Sequence, residues 1–230
     1  RVQRIAASAG EQRQRRLKEV RSRLTRELAS TATLKWIGVF DTEAKLWLFV
    51  GPKKPKKPAV LTNPRTLAAA KVRPVIHDPV FRSGQLELQV AAPIRSPGGA
   101  TLALLVLDFD AKDLLAITGD YTGLGRTGET VLGARRGSKV HFLTPLRFDP
   151  GLSRVKPADV GGERAKPLLH ATAAQSGVTR ALDYRDVPVI AAFRPVNAKG
   201  WGLVVKQDEQ EAFSSIAELQ TVLLLALGAV

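Results

Sequence analysis

The sequence predicts an α/β protein of the α+β type: a long N-terminal helix followed by two tandem modules, each a central antiparallel sheet flanked by helices. Three observations carry this. Residues 11–30 are strong helix formers, with Leu17, Val20, Leu24 and Leu28 at spacings of three and four. Downstream, the pattern changes to short runs rich in aromatic and β-branched residues, broken in each half by a helical stretch. The two halves also echo one another at an offset of about 100 residues, the scale of a domain duplication rather than of a solenoid repeat.

The first helix, Glu11 to Ser30, is polar except for one narrow apolar stripe. A single stripe implies a single partner surface, which is the body of its own chain, the same helix of a second subunit, or some of each. After it, Lys35–Asp41 and Leu46–Val50 form a hairpin around Thr42–Lys45, and Asn63-Pro64 opens a short helix through Ala70. Gln85–Ile94 and Thr101–Asp108 form a second hairpin across Arg95–Gly99, and Ala111–Ile117 is helical.

The second half repeats the plan. Thr130–Ala134 and Val140–Leu143 flank a turn, Lys166–Gln175 is a helix, and strands follow at Val178–Tyr184, Val189–Val196 and Trp201–Gln207. A last amphipathic helix, Glu209–Gln220, runs into the apolar end. The repeat shows in the letters as well: Val90-Ala-Ala-Pro-Ile94, a turn ending in Gly99 and Leu104–Asp108 lie beside Ile190–Val196, a turn ending in Gly200 and Leu203–Lys206.

With 230 residues and 44% hydrophobic side chains, the chain holds one large domain or two small ones. It starts at Arg1 and stops in the uncharged run Thr221–Val230, and so reads as a fragment. That run is the buried end of a helix or the first part of a membrane span, which needs about 20 residues in full. The absence of cysteine excludes disulfides, thiolate metal sites and a cysteine nucleophile.

The formal charge of +14 raises nucleic acid or a polyanion as a partner. Much of it is local: Arg13, Arg15, Arg16, Lys18, Arg21, Arg23 and Arg26 on the first helix, and Lys53, Lys54, Lys56 and Lys57 in a Lys/Pro loop. Glu11, Glu19 and Glu27 dilute the helix and it carries no aromatic residue, so a solvated face or one near anionic lipid is the better reading.

Gly123, Gly125 and Gly128 spell a G-x-G-x-x-G string, but it leaves a helix and opens a strand, whereas a dinucleotide site needs the reverse. His77, His141 and His170 are far apart, without metal-ligand spacing, and there is no G-x-S-x-G elbow. The reading is therefore not an enzyme, with no cofactor and no metal.

Taken together, Leu105–Leu114, Gly123–Thr130, Leu143–Arg147, Asp183–Val189, Gly200–Val205 and Glu211-Ala212 resemble a double Cache sensor domain. The match runs from about Thr33 to Phe213. The resemblance implies a stalk helix at 1–32, a membrane-distal PAS-like module at 33–117, a membrane-proximal one at 118–212, and at 213–230 a helix leading into a truncated transmembrane segment. It further implies an extracytoplasmic small-ligand sensor anchored in the bacterial inner membrane on the periplasmic side. The parent receptor is a sensor histidine kinase, with a chemoreceptor or diguanylate cyclase as alternatives. A homodimer through the first helix is expected, and no nucleic-acid partner.

In amino-acid-binding members, an Arg-Pro-Trp-Tyr string with a following Asp, and an acidic residue ending the last distal strand, hold the ligand. Here the corresponding positions are Arg73-Pro74, Asp78 and Asp108, while Val75-Ile76 stand where the aromatic pair would be. A guanidinium that grips a carboxylate and a carboxylate that neutralises an ammonium would serve a zwitterion. The alternative is that Arg73 and Asp78 pair with each other on the surface. Trp47 and His77 complete the candidate set, with an amino acid or carboxylate as ligand.

Overall fold

A computed structural model describes residues 10–54, 58–82, 84–136, 139–149, 158–159, 164, 166–196 and 200–214. The chain divides into two compact units, Arg1–Lys112 and Asp113–Val230. Each is built on an antiparallel sheet, so the architecture is the α+β one expected.

In the first unit, α1 (Gly10–Ser30) precedes β1 (Leu34–Phe40) and β2 (Leu46–Val50), and a 3-10 turn (Ala59–Leu61) leads into α2 (Pro64–Val72). Then come β3 (Val75–Ile76), β4 (Val80–Arg82), β5 (Gln85–Arg95) and β6 (Thr101–Asp110). The sheet order is β2-β1-β6-β5-β3, with β4 also paired to β5. Two-residue alternation sends Trp36, Phe40, Leu104, Val106 and Ala91 to one face, where Val60, Leu61 and Ala70 cover them. Val39, Leu48 and Ala103 face the other way and bury Val20 of α1, with Leu17 and Leu24 against them. The apolar stripe of α1 is thus engaged by its own chain.

Asn63 caps α2 by accepting hydrogen bonds from the Arg65 and Thr66 amides, and Pro64 takes the first turn, where its missing N–H costs nothing. Strands β3 and β4 are too short to show an alternating pattern, which is why the sequence did not reveal them.

The second unit contains α3 (Lys112–Gly119), β7 (Glu129–Arg136), β8 (Lys139–Phe142), β9 (Ala158–Asp159), α4 (Lys166–Thr172), β10 (Gly177–Leu182), β11 (Pro188–Val196), β12 (Trp201–Asp208) and α5 (Glu209–Ala212). Lys112, the first residue of α3, belongs to the first unit. The sheet order is β10-β11-β12-β7-β8-β9. Val131, Val140, Val189, Ala191 and Val204 pack on Leu168 of α4. The helix docks closely because Gly133 and Gly202 lie beneath it. A Cβ on Gly133 would meet Leu168 Cδ2 at 2.4 Å, and one on Gly202 would meet Ala171 Cβ at 2.6 Å.

Helix α4 ends at Thr172, short of the expected Gln175. Ala174 adopts a left-handed φ of 62°, the Gln175 N–H bonds His170 O, and the Ala174 N–H bonds Ala171 O. This is a Schellman closure with alanine where glycine is usual. The expected helix over 209–220 is described only to its first turn, and its remainder from 215, the apolar run 221–230, Lys56 and Lys57 lie outside the described residues. No helix among the described residues is long and apolar enough to cross a membrane.

Because an alanine in the left-handed region is strained, Ala174→Gly should stabilise the protein by about 0.5–1 kcal/mol. Chemical denaturation would show a higher midpoint at unchanged slope.

Candidate functional site

On the face of the first sheet covered by the 3-10 turn and α2, parity places a carboxylate among aliphatic side chains. Along β6, Leu104 and Val106 point into this core, and Asp108 is the next residue of the same face. It lies between Trp36 on β1 and Gln89 on β5, directly opposite both. Asp108 is 0% exposed and Gln89 4%. Gln89 Nε2 donates to Asp108 Oδ1 at 2.8 Å, and Gln89 Oε1 accepts from the Val60 N–H at 3.2 Å. Asp108 Oδ2 is buried and has no hydrogen-bond partner.

A buried carboxylate with an unmatched oxygen resists ionisation. Burial pushes the Asp108 carboxyl up to about 6, opposed by the hydrogen bond from Gln89. Glu87 adds to the rise, while Lys35 and Arg82 work against it. These three form their own cluster, with Lys35 Nζ 2.6 Å from Glu87 Oε1 and Arg82 Nε 3.3 Å from Glu87 Oε2.

The other sequence candidates fall at different distances from this centre. His77 follows β3, its N–H donates to Gln89 O at 2.7 Å, and its Nδ1 lies 2.8 Å from Asp78 O. Asp78 is buried, so it is not the surface residue that a mutual pair with Arg73 would require. Arg73 caps α2 in an extended conformation, its N–H bonded to Ala69 O, with its side chain exposed. Trp47 is not brought to Asp108. The pairing of β1 with β2 slips between Val39 and Phe40, so Leu46 rather than Trp47 faces Phe40, and the indole joins the cluster around Val20 on the opposite face. Gln89 and Trp36, which the sequence reading missed, are the residues beside Asp108. The available signal was a glutamine on the inward parity of β5, in line with Ala91.

The second unit also carries charge on its covered face, but there it is fully matched. Lys206, 5% exposed, bridges Glu129 Oε2 at 2.8 Å and Asp183 Oδ2 at 2.6 Å. Glu129 also accepts from the Arg147 N–H and from the Tyr184 hydroxyl. Asp183 accepts from Arg185 Nε and the Arg185 and Val187 amides, and Arg185 reaches on to Asp208. Burial pushes the Asp183 carboxyl up, but Lys206 and Arg185 together hold it below the usual range. A small cavity of about 30 Å³ lies beside this network, walled by Val131, Phe142, Leu168, Val189 and Val204.

The glycine string turns the chain from α3 into β7, with Gly123 and Gly125 at φ of 77° and 70°. The amides of Arg126 and Thr127 form an anion cradle, and Glu211 of the same chain fills it, accepting from both at 2.8 Å and from the Thr127 hydroxyl. These bonds, that of the Thr127 hydroxyl foremost, draw the Glu211 carboxyl down to about 2. A nucleotide phosphate has no place there.

Two substitutions separate an unmatched carboxylate from a matched network. Raised in the folded protein, Asp108 keeps its proton between about pH 4 and 6 while the unfolded chain loses it, so stability falls as pH rises through that window. Asp108→Asn should therefore be more stable than wild type at pH 7.5, by about 2 kcal/mol, with the difference gone near pH 4. Lys206→Met should do the opposite at neutral pH, costing about 3–5 kcal/mol by leaving buried Glu129 without its cation and Asp183 with Arg185 alone. Urea unfolding of each variant across pH reads both.

No family model matches the sequence, and no curated protein does. Solved structures do. The extracellular domain assigned to the histidine kinase mmHK1S-Z2 superposes with a TM-score of 0.61 at 15% identity, over 85% of this chain and 82% of that one. The periplasmic sensory domain of the Campylobacter jejuni chemoreceptor Tlp1 gives 0.58 at 11% identity, over 83% and 78%. The ligand-binding domain of the Pseudomonas aeruginosa amino-acid chemoreceptor PctB, in complex with L-Arg, gives 0.56 at 16% identity, over 87% and 78%. A long helix and two antiparallel sheets with their covering helices thus make up a Cache-like fold, that of the extracellular sensor domains of histidine kinases and chemoreceptors.

Proposed function

We propose that this chain is the extracytoplasmic ligand-sensing domain of a transmembrane receptor, a sensor histidine kinase, and that a small ammonium-bearing ligand such as an amino acid binds in the first unit at Asp108. The observation that carries this is the buried, half-matched carboxylate. It lies on the covered sheet face, where an unmatched charge destabilises the fold unless a ligand completes it. The related folds include PctB in complex with L-Arg and with L-Gln, and the chemoreceptor PctC in complex with GABA. All three ligands carry an ammonium and a carboxylate.

In this reading Asp108 takes the ammonium and Arg73 faces the ligand's carboxylate end, with His77 and Asp78 on the segment that follows it. The unit 33–117 is the membrane-distal module and 118–212 the membrane-proximal one, in the inner membrane's periplasmic compartment. Leu28 of α1 is not among the side chains packed on the sheet, and a homodimer through that helix in the receptor belongs to this reading. A ligand signals by binding two conformations of the unit unequally. A chemoreceptor or a diguanylate cyclase as parent protein would use the same domain in the same way.

Thermal shift of the domain against arginine, glutamine, GABA, simple carboxylates and a short DNA duplex, at low and high salt, tests the proposal. Saturation at 100 times Kd adds about 2.7 kcal/mol, several degrees for a chain of this size. The expected result is a salt-tolerant rise with an amine-bearing acid that Asp108→Asn abolishes. A rise with DNA alone, vanishing at high salt, would replace the sensor by a polyanion-binding module.

A further inference from the structure

The contact that determines what Asp108 can do is made by a residue with no charge. Gln89 sits opposite Asp108 across the β5–β6 ladder, and its amide cannot be turned round. Its Oε1 must face the Val60 N–H, a buried donor in the 3-10 turn, so its NH₂ must face the carboxylate. Both ends of the amide are therefore used, and the side chain is locked between a backbone amide and Asp108. Val60 and Leu61, which carry the turn, are themselves buried in the core, so this lock has a rigid anchor.

We infer that Gln89 is the positioning residue of the ligand site: by engaging Asp108 Oδ1 it leaves Oδ2 alone to receive a ligand N–H, which selects a compact ammonium over a two-pronged guanidinium. This rests on the reading of Asp108 as a ligand contact. A guanidinium gains its advantage from two parallel bonds to both carboxylate oxygens, and here a second donor on Oδ1 would have to share that oxygen with Gln89, which weakens the two-pronged grip. An ammonium needs only one acceptor and the negative charge.

Gln89 also keeps that charge available. Among the groups acting on Asp108, Glu87 on β5 opposes ionisation and Lys35 on β1 and Arg82 on β4 favour it, while Gln89 favours it by direct hydrogen bonding. Without its N–H, burial acts with less opposition, and a larger share of the carboxyl is protonated at neutral pH. A neutral acid cannot balance a ligand cation.

The test needs no ligand at its first step. Carboxyl ¹³C NMR would follow Asp108 through a pH titration in the wild-type domain, in Gln89→Met and in Gln89→Glu. The second variant retains an oxygen acceptor for the Val60 N–H, and so covers the case in which the methionine variant fails to fold. In Gln89→Met the Asp108 midpoint should move up by about one pH unit or more, and in Gln89→Glu the two carboxyls should titrate as a coupled pair that still holds one proton above the wild-type midpoint. An unchanged midpoint in a folded variant overturns the positioning role, whatever binds.

The second step compares GABA with its guanidino analogue, 4-guanidinobutyrate, by calorimetry. Wild type should prefer GABA by about tenfold or more. Gln89→Met should bind GABA more weakly at pH 7 than near pH 9, whereas a merely structural defect would weaken binding equally at both. Equal affinity of the wild type for the two probes overturns the selection. If the midpoint moves but neither probe, nor any amine-bearing acid, binds the wild type, then the ligand reading and the selection fall, and Gln89's hold on Asp108 stands.

Discussion

Everything in the two sheets follows from one constraint: a strand that alternates its side chains commits every second residue to a buried face, and whatever polar group falls there must be matched or remain a cost. Strand β1 shows the rule at its fullest, since α1 covers one face and α2 with its preceding turn the other. Its residues from Trp36 to Phe40 are buried on both sides in consequence. Helices α1, α2 and α4 contribute little independent order, and each is held by the sheet face it covers.

Against that background the two units treat an inward charge differently. In the second, Lys206, Glu129 and Asp183 balance one another and are finished by Tyr184, Arg185 and backbone amides. Nothing in that network awaits a partner, and its stability is bound up with its completeness. In the first, Asp108 has one donor where two or more would be needed, and its second oxygen is left over in the core. The chemistry that calls for a ligand therefore lies at Asp108 and not beside Lys206.

The same logic explains the glycine string. Its amides do make an anion-binding cradle, the physical property for which such strings are searched. The chain fills the cradle with its own Glu211, so a potential phosphate site becomes the tie that fixes the start of α5 to the turn entering β7.

What the sequence by itself determined are the features that repeat along a short stretch of chain. Helical spacing located α1 to within a residue, alternation and turn residues located the long hairpins, and the resemblance picked out Asp108 near the end of β6. Tertiary structure alone decided who meets whom. Gln89 reaches Asp108 across 19 positions, Val60 reaches Gln89 across 29, and Thr127 meets Glu211 across 84. A slip in one strand pairing, invisible in the letters Leu46-Trp-Leu48, sent Trp47 to the far face and out of the site. Periodicity is a property of neighbours in sequence, whereas a hydrogen bond in a core depends on register between strands, and register is set only when the whole face is packed.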